Sequence, residues 1–333
     1  MEYGYLGRTE IRVSKIGFGT FPIGGRLRPG DYGVVDDGES VEAIRFAFDR
    51  GVTLFDTAPT YGGGHAEELL AKALGNHIHE VVTVTKCGAY WNEDEARWDA
   101  NSSREAISER VESSLRKLNT DAIDLLLVHI PDRSRPADEV MDALKAMQAS
   151  GKVRDVGVSN FSLEELREYL RFGRLVAHQV GYHMFDRRME KRMLHACSEL
   201  GVGVMAYGSL GFGLLSGTWT AATKFDAIDW RSTGEAFGLP IFKDDNLPRN
   251  IEVVERLSEY ARGLGKTMPQ LAIAWVLHRP EVSVALVGAR SPAEVEENLG
   301  AVGWRLSEDD VAAIDRILSE AVGTSPDAPE FRG

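Results

Sequence analysis

The most constraining feature of this sequence is a regular alternation of two kinds of segment. From Ile16 onward, short apolar runs rich in β-forming residues alternate with longer runs whose apolar residues recur at helical spacing. The pattern contains eight strands, each followed by at least one helix. Without a linker or a break in composition, it predicts an α/β fold, a (β/α)8 TIM barrel, as one domain over residues 1–333. The predicted strands are Ile16–Thr20, Val52–Asp56, Val81–Lys86, Ile123–His129, Lys152–Asn160, Ala177–Tyr182, Val202–Tyr207 and Val282–Gly288.

A doubly wound sheet would also alternate, but no Gly-x-Gly-x-x-Gly motif joins the first strand to a helix. Two short strands, Tyr3–Tyr5 and Ile11–Val13, predict a hairpin that caps the amino-terminal mouth of the barrel. The loop Gly208–Pro248 after the seventh strand is longer than a connection requires, which hints at a ligand-covering role. The tail from Thr324 is expected to be mobile. The predicted helices are Glu39–Gly51, Ala66–Leu74, Ser103–Leu118, Ala137–Ala149, Ser162–Leu170, Met189–Leu200, Asn250–Gly263, Pro269–His278 and Ala293–Leu299, with an extra terminal helix at Ser307–Ser319.

Composition narrows the class of protein. Lys and Arg number 38 against 51 Asp and Glu, a formal charge of −13 that repels nucleic-acid backbones and anionic membranes. We find no secretion signal and no apolar stretch of membrane-spanning length, so we expect a cytoplasmic protein without nucleic-acid or membrane partners. The two cysteines, Cys87 and Cys197, lack metal-site spacing, so we expect reduced thiols and no metal. The oligomeric state cannot be read from the sequence.

Ionisable side chains stand at or just beyond the carboxyl ends of three predicted strands. Asp56 ends the second strand with Tyr61 shortly after it, Lys86 ends the third strand, and His129 ends the fourth. In a barrel these ends converge on the face that carries the chemistry. A phenol titrates at about 10 in water, and a neighbouring ammonium lowers that pKa. Lys86 could supply the ammonium, Asp56 could neutralise it, and His129 could donate to a carbonyl oxygen. Such a set suits carbonyl reduction or alcohol oxidation.

Each of these four residues also has an ordinary structural explanation. Asp56 could cap the next helix, and Tyr61 could simply pack its ring. Lys86 could extend to solvent, and His129 could be a core histidine with satisfied hydrogen bonds. Four independent placements at strand ends are much less expected than one shared site, so the set favours a function.

Several motifs in a fixed order carry a resemblance that spans nearly the whole chain. They are DTAPTYG, the Lys-Cys-Gly after VTVT, IDLLLVHIPD, GKVRDVGVSNF, AYGSLGFGLLSG and VGARSPAEVEENLGA. On these motifs the chain resembles the aldo-keto reductase family, and its DWR and NLPRN elements resemble the bacterial and potassium-channel β-subunit branch. The resemblance implies a (β/α)8 barrel without a metal, and hydride transfer between a nicotinamide, usually NADP, and a carbonyl.

The catalytic tetrad of that family falls on the four residues above. The resemblance implies that Tyr61 is the general acid and that Lys86 lowers its pKa. It further implies that Asp56 holds Lys86 and that His129 orients the substrate oxygen. The substrate pocket would have largely aromatic walls that suit an aldehyde, a ketone or a sugar carbonyl equally well. Its expected lining is Phe21, Tyr61, Tyr90, Trp91, His129, Ile130 and residues of the long loop.

The resemblance also assigns residues to the cofactor. Ser159, Asn160 and Gln179 would hold the carboxamide, and Tyr207 would stack on the nicotinamide ring. Arg290 opens a helix whose N-terminus favours an anion, so it could grip a 2′-phosphate. The full set of expected cofactor residues is Gly19, Thr20, Phe21, Asp56, Ser159, Asn160, Gln179, Tyr207, Gly208, Ser209, Leu210, Gly211, Gly213, Leu215, Arg231, Gly288, Arg290, Glu294, Glu297 and Asn298.

Two departures from the family bear on the choice of nucleotide. Glu294 stands where related members often have Gln, and Thr218 stands where many have Lys, so positive charge near the cofactor is reduced. An anion beside a phosphate costs roughly 1 kcal/mol or more when partly desolvated. Arg290 makes NADP(H) the expected cofactor, while NAD(H) or dual use stays open. Arg231 could contact the pyrophosphate or could be an exposed loop arginine.

Two other functions stay open at this point. One is a nicotinamide-binding regulatory subunit like the channel β subunits, and the other is an enzyme that works mainly as a sugar or polyol dehydrogenase. The complete tetrad favours catalysis over the regulatory role.

Overall fold

An amino-terminal hairpin precedes a closed barrel of parallel strands. The computed structural model describes residues 1–25, 32–95, 97–227 and 229–324. In the hairpin, β1 (Tyr3–Tyr5) pairs antiparallel with β2 (Arg12–Ser14). The remaining strands are β3 (Ile16–Gly19), β4 (Leu54–Asp56), β5 (Val82–Cys87), β6 (Ala89–Asn92), β7 (Arg97–Ala100), β8 (Ile123–Val128), β9 (Val153–Ser159), β10 (Ala177–Gly181), β11 (Gly203–Tyr207) and β12 (Val282–Gly288).

Eight of these strands close the barrel in the spatial order β3-β4-β5-β8-β9-β10-β11-β12, and every neighbouring pair is parallel. The TIM barrel that the alternation predicts is therefore confirmed, together with its amino-terminal hairpin. Because all eight strands run the same way, their carboxyl ends share one mouth of the barrel.

Helices follow the barrel strands at close to the expected positions. The sixth begins at Met193 rather than Met189, because Arg188–Glu190 forms a separate 3-10 turn. The helix expected from Asn250 already begins at Leu247, with Pro248 in its first turn, where a missing N–H is tolerated. The helices are α1 (Asp37–Asp49), α2 (His65–Leu74), α3 (Arg104–Leu118), α4 (Ala137–Ala149), α5 (Leu163–Leu170), α6 (Met193–Leu200), α7 (Leu247–Gly263), α8 (Met268–His278), α9 (Pro292–Leu299) and α10 (Glu308–Leu318).

The amino-terminal hairpin closes the mouth opposite to the carboxyl ends. Leu6 and Val13 are fully buried and pack with inward-facing strand residues such as Leu54 and Leu125. At Gly7 a Cβ would lie 2.4 Å from the backbone nitrogen of Gly203, so only glycine allows the hairpin to approach the barrel this closely. The apolar interior of the barrel is thereby sealed on one side.

A second hairpin, which the sequence analysis did not predict, follows β5. Strands β6 and β7 pair antiparallel, with Trp91 opposite Trp98, and their rings meet edge to face at 5.3 Å. This hairpin stands at the carboxyl-end mouth of the barrel.

The long loop between β11 and α7 is packed through its own aromatic side chains. Two 3-10 segments, Gly211–Ser216 and Trp230–Thr233, are held together by ring contacts of 5.1 to 6.1 Å. We call these rings the aromatic cluster, which consists of Phe212, Trp219, Phe225, Trp230, Phe237 and Phe242. A loop with its own packed side chains is typical of segments that form part of a binding site.

Within the described residues, no helix combines the length and the apolar composition that a bilayer crossing would need. The expectation of a mobile tail concerns residues 325–333, which lie outside the described part of the chain. Cys87 and Cys197 are both buried, and neither forms a disulfide within the described residues. Burial raises the pKa of the Cys87 thiol to about 12, so its environment does not promote reactivity.

Candidate active site

A cavity of about 1020 Å³ opens at the carboxyl ends of the barrel strands. Ligand pockets typically measure ~300–1,000 Å³, so this one is large enough for an extended ligand. Most of the residues expected at the site lie in its wall. They are Gly19, Phe21, Asp56, Tyr61, Trp91, His129, Ile130, Ser159, Asn160, Gln179, Tyr207, Gly208, Ser209, Leu210, Gly213, Arg231, Gly288, Arg290, Glu294, Glu297 and Asn298.

Five of the expected site residues do not line the cavity. Lys86 is fully buried behind the wall, in contact with Asp56. Tyr90 is 37% exposed, because it is the strand neighbour of Trp91 and adjacent side chains in a strand point to opposite faces. Thr20, Gly211 and Leu215 are buried within the fold and do not line the cavity, and their expected contact with the cofactor stays a prediction.

Asp56 and Lys86 form a buried ion pair between the neighbouring strands β4 and β5. Lys86 Nζ donates to Asp56 Oδ1 at 2.8 Å, to Asp56 Oδ2 at 2.9 Å and to the carbonyl oxygen of Thr57 at 2.8 Å. Asp56 is only 4% exposed, and Lys86 is not exposed at all. Burial lowers the pKa of Lys86, while Asp56 and, more weakly, Glu67 raise it. The ammonium therefore depends on Asp56 to remain charged.

Tyr61 reaches the cavity through a turn that requires glycines. Gly62, Gly63 and Gly64 all have positive φ, between 57° and 93°. At Gly62 a Cβ would fall 1.7 Å from the carbonyl oxygen of Gly24, so a larger residue would force the two loops apart. The three glycines after the tyrosine therefore fix where its ring lies.

The Tyr61 ring lies close to two other members of the predicted tetrad, Lys86 and His129. Lys86 Nζ lies 4.9 Å from the ring centroid, and the His129 ring meets it edge to face at 6.0 Å. Burial, and secondarily the charge of Asp56, raise the pKa of Tyr61 well above 10. The family resemblance implies that Lys86 lowers this pKa, but all three hydrogen bonds of its ammonium go to Asp56 and Thr57. In this arrangement the phenol stays protonated at neutral pH.

His129 is held neutral at the cavity wall. Burial, and secondarily the charge of Lys86, lower its pKa to about 3. Its Nδ1 atom is buried and has no hydrogen-bond partner among the described residues. A neutral imidazole can donate one hydrogen bond without carrying charge, so His129 can orient an oxygen without competing with Tyr61 as an acid.

Residues expected at the carboxamide also bond to one another. Asn160 has a positive φ of 61°, and its Nδ2 donates to the His129 carbonyl and to Ser159 Oγ, both at 3.1 Å. Tyr207 Oη donates to Asn160 Oδ1 at 2.8 Å. Gln179 Nε2 donates to Asp56 Oδ1 at 2.6 Å, which connects this group to the tetrad. The amides are thus held in fixed orientations at one end of the cavity.

The glycine-rich segment after β11 forms a tight backbone cradle. Gly208, Gly211 and Gly213 have positive φ, and so does Phe212 at 58°. At Gly213 a Cβ would meet the Trp219 ring at 2.8 Å. A non-glycine residue in this conformation costs about 1–3 kcal/mol, and such strain clusters at binding sites.

Arg231 lies inside the long loop instead of on its surface. Its guanidinium donates to both carboxylate oxygens of Asp229, at 2.9 and 2.5 Å, and to the Phe212 carbonyl at 2.9 Å. Its Cζ atom also lies over the rings of Phe225 and Tyr32, at 4.9 Å from each centroid. Of the two alternatives for Arg231, the exposed loop arginine is excluded. Asp229 already balances the positive charge at this corner of the cavity.

Arg290 and Glu294 line the cavity at the start of α9, and Arg290 lies near the Tyr32 ring that Arg231 also contacts. Glu294 Oε2 accepts from the backbone N–H of Arg290 at 2.8 Å, so a carboxylate stands at this helix N-terminus. The Arg290 guanidinium lies 5.8 Å from the centroid of the Tyr32 ring. Among the described residues, Arg290 forms no ion pair, so its positive charge is available to an anion.

Several aromatic residues of the cavity wall were not named from the sequence. Tyr32 packs on Phe21 at 4.9 Å, while Trp230 and Phe237 belong to the aromatic cluster. On the new hairpin, Arg97 and Trp98 also line the cavity. Arg97 pairs with Glu95 and Asp99, so it brings little net charge. For Trp230 and Phe237, the available signal in the sequence was the density of aromatic residues in the long loop Gly208–Pro248.

These residues fit a nicotinamide dinucleotide. Buried amides beside an aromatic ring suit a carboxamide and its ring, and a glycine cradle with an arginine suits phosphates. At Gly288 a Cβ would lie 2.5 Å from Pro22. The backbone at Gly288 can therefore lie this close to Pro22, in the same cavity wall, only because glycine has no side chain. In the described part of the chain, no group of three His, Cys, Asp or Glu residues is placed to hold a metal ion.

Comparison with known sequences gives a family match over most of the chain. The sequence model described as "Aldo/keto reductase family" matches residues 15–319. The protein named aldo-keto reductase YhdN of Bacillus subtilis (strain 168) is 37% identical, covering 99% of this chain and 97% of that protein. A protein named NADH-specific methylglyoxal reductase, of Escherichia coli (strain K12), is 33% identical, covering 95% and 98%.

A solved structure shares the same architecture. The structure of a glycerol dehydrogenase from Gluconobacter oxydans superposes with a TM-score of 0.86 at 33% sequence identity. The match covers 99% of each chain. The two proteins thus share their overall fold along nearly the full length of each chain.

Proposed function

The chain belongs to the aldo/keto reductase family of oxidoreductases, and from that premise we propose that it reduces the carbonyl of a small aldehyde, ketone or sugar with a nicotinamide cofactor. One observation carries the proposal. The buried Asp56–Lys86 ion pair lies against the ring of Tyr61, at the wall of a cavity large enough for a nicotinamide cofactor and a small carbonyl substrate.

In the proposed reaction, Tyr61 is the general acid. A bound reduced nicotinamide supplies the hydride that the carbonyl carbon receives. The Tyr61 phenol gives its proton to the carbonyl oxygen as negative charge develops there. Because the pKa of Tyr61 is raised, the phenol carries this proton at neutral pH. Reduction is then fully supported below that pKa and is lost as the pH rises through it.

Lys86 and Asp56 support the phenolate that proton transfer leaves behind. An ammonium 4.9 Å from the ring centroid attracts the phenolate in a poorly solvated site. Asp56 holds the ammonium through both carboxylate oxygens, at 2.8 and 2.9 Å. The net effect of Lys86 is to offset burial and the charge of Asp56, both of which oppose ionisation of Tyr61.

His129 is proposed to orient the substrate. As a neutral imidazole it donates one hydrogen bond to the carbonyl oxygen and polarises the C=O bond. The walls near Tyr61 are Phe21, Trp91, Trp98 and Ile130, and the hairpin charge of Arg97 is balanced by its neighbours. Such walls favour a small uncharged carbonyl compound over an anionic one.

For the cofactor, we propose that NADP(H) binds with its 2′-phosphate at Arg290 and that NAD(H) can also be used. The guanidinium of Arg290 lines the cavity and forms no ion pair with another described residue, which supports the first part. The Glu294 carboxylate at the same helix N-terminus opposes a phosphate and supports the second. The NADH-specific methylglyoxal reductase of Escherichia coli, 33% identical, makes NAD(H) use a realistic second option.

Polyol oxidation is the second candidate function, because the solved relative with a TM-score of 0.86 is a glycerol dehydrogenase. The same residues would act in reverse, with the Tyr61 phenolate accepting the alcohol proton. A raised pKa at Tyr61 makes this direction slow at neutral pH and faster at alkaline pH.

The test is a panel of aldehydes, ketones, sugars and polyols, assayed in both directions with each nucleotide. We expect carbonyl reduction to exceed polyol oxidation at neutral pH. If the purified chain turns over none of these compounds yet binds nucleotide, the enzymatic proposal is wrong and a regulatory role gains support.

The matched control variant in this panel is Tyr61→Phe, which removes only the phenolic oxygen. We expect turnover to fall roughly 10²- to 10⁴-fold, while nucleotide affinity measured by fluorescence titration barely changes. Full activity of the variant would remove Tyr61 from the role of acid.

A further inference from the structure

We propose that Gln179 is a positioning residue that ties the nicotinamide end of the cavity to the Asp56–Lys86 pair, in addition to its expected contact with the carboxamide. The inference deepens the proposed function and rests on it. Its basis is the 2.6 Å hydrogen bond from Gln179 Nε2 to Asp56 Oδ1. Both residues are buried, with 2% and 4% of their surface exposed.

The hydrogen bond crosses the interior of the barrel. In the closed order of eight strands, β10, which carries Gln179, lies four positions from β4, which carries Asp56. The two residues are 123 positions apart in the chain and meet across the mouth from opposite strands. A local structural role does not require such a contact, because each strand already has its own neighbours in the barrel.

The chemistry of the partner fixes the orientation of the Gln179 amide. An ionised carboxylate can only accept hydrogen bonds, so the NH₂ end of the amide must face Asp56. The Oε1 atom then accepts no hydrogen bond from another described residue, and Gln179 lines the cavity. A carboxamide bound there must present its own NH₂ group to Oε1. One side chain would thus contact the cofactor and the tetrad at the same time.

The same bond changes the electrostatics at Tyr61. Asp56 Oδ1 accepts from both Lys86 and Gln179, which holds the carboxylate with Oδ1 and Oδ2 both facing the ammonium. The negative charge of Asp56 is the main charge that raises the pKa of Tyr61. A donor on Oδ1 weakens that field, because hydrogen bonding partly neutralises the carboxylate.

The other ionisable groups around this cluster do not provide the same link. His129 titrates near 3, and Tyr207, whose pKa is raised, stays protonated. Glu67 acts on Lys86 from α2, and it bonds to Thr85 at 2.8 Å on the side away from the cavity. Among the described residues, Gln179 is the uncharged side chain that donates to Asp56.

The experiment compares Gln179→Met and Gln179→Glu with the control Ser159→Ala. Methionine keeps the length of the side chain and lacks the donor. The introduced carboxyl of Gln179→Glu can donate to Asp56 only while protonated, and repels it once ionised. Ser159→Ala changes another expected carboxamide contact without touching Asp56.

The first readout is the thermal midpoint of the nucleotide-free protein as a function of pH. We expect Gln179→Met to lower the midpoint by a few degrees at every pH. The introduced carboxyl has a raised pKa in the folded protein, so the midpoint of Gln179→Glu should fall further as the pH rises from acid to neutral. Ser159→Ala should show no such pH dependence.

The second readout separates nucleotide affinity from turnover. We expect both Ser159→Ala and Gln179→Met to weaken nucleotide binding. Gln179→Met should in addition lower kcat about tenfold, because Asp56 loses the donor that orients its carboxylate and weakens its field at Tyr61. The inference is overturned if both Gln179 variants have the thermal midpoint of the wild type. It is also overturned if the variants lose nucleotide affinity and keep the wild-type kcat. Either result leaves the proposed function intact. A wild-type protein without carbonyl turnover would instead sink the proposed function, and the nucleotide-free midpoints would still decide whether the link exists.

Discussion

Replacing Lys86 by methionine tests the ion pair on which the proposed chemistry depends. The variant removes the three hydrogen bonds of the ammonium and leaves Asp56, 4% exposed, with the amide of Gln179 as its remaining side-chain donor. Glu67, only 1% exposed, also loses the nearby positive charge. The variant therefore leaves buried negative charge without its cation.

Removing one partner of a buried ion pair typically costs about 3–5 kcal/mol. We expect Lys86→Met to lower the free energy of unfolding by this amount at neutral pH. The double variant Asp56→Asn with Lys86→Met removes both charges and keeps the shape of the pair. Its loss should be smaller than the sum of the two single losses by about 2–3 kcal/mol.

Urea unfolding of the nucleotide-free proteins, followed by circular dichroism, measures these free energies. Lys72→Met is the matched control, because Lys72 is exposed on α2 and its replacement should change stability by about 0.5 kcal/mol or less. A Lys86→Met variant within about 1 kcal/mol of the wild type would show that no buried charge depends on Lys86. Strictly additive single and double variants would refute the pairing itself.

Two further predictions concern the nucleotide and the pH. Arg290→Ala should weaken NADP binding at least tenfold more than NAD binding, and Glu294→Gln should strengthen NADP binding with little effect on NAD binding. Fluorescence titration with each nucleotide measures these affinities. Equal changes for NADP and NAD would contradict a 2′-phosphate bound beside Arg290. Burial lowers the pKa of His129 and His178 to about 3 from their usual 6.5. Between pH 6.5 and pH 3, the unfolded chain binds protons on these two histidines that the folded chain does not bind. Their contribution to the free energy of unfolding should therefore be fully present above pH 6.5 and be lost as the pH falls towards 3. Urea unfolding across this pH range measures the effect. The free energy of unfolding of His178→Gln should fall less steeply with decreasing pH than that of the wild type. An unchanged dependence on pH would contradict a lowered pKa at His178.

The tetrad illustrates how far strand-end placement can be taken. The sequence placed Asp56 and Lys86 at the ends of adjacent strands, and the structure brings their side chains to 2.8 Å. Adjacent parallel strands put their carboxyl ends side by side, so the approach follows from topology. The charge balance does not follow in the same way. The pKa of Tyr61 is raised overall, because burial and the charge of Asp56 outweigh the ammonium of Lys86, whose hydrogen bonds go to Asp56 and Thr57.

Residues on loops were less predictable than residues on strands. Tyr90 and Trp91 were expected together in the pocket, but the unforeseen hairpin places them on opposite faces. Arg231 offered two alternatives in the sequence, and its true environment, between Asp229 and aromatic rings, depends on how the long loop folds back on itself. Tyr32 lies far from Arg290 in the chain, and only the fold brings its ring to 5.8 Å from the Arg290 guanidinium.

The sequence by itself determined the barrel and which strand-end side chains reach its mouth. Strand and helix periodicities are local properties, and the parallel topology then aligns every strand end without further information. Only the tertiary structure decided which donor meets which acceptor across that mouth, as with Gln179 and Asp56 on opposite strands. It also decided how deeply each ionisable group is buried. Burial and long-range contacts depend on all neighbours in space, and no spacing along the chain encodes them.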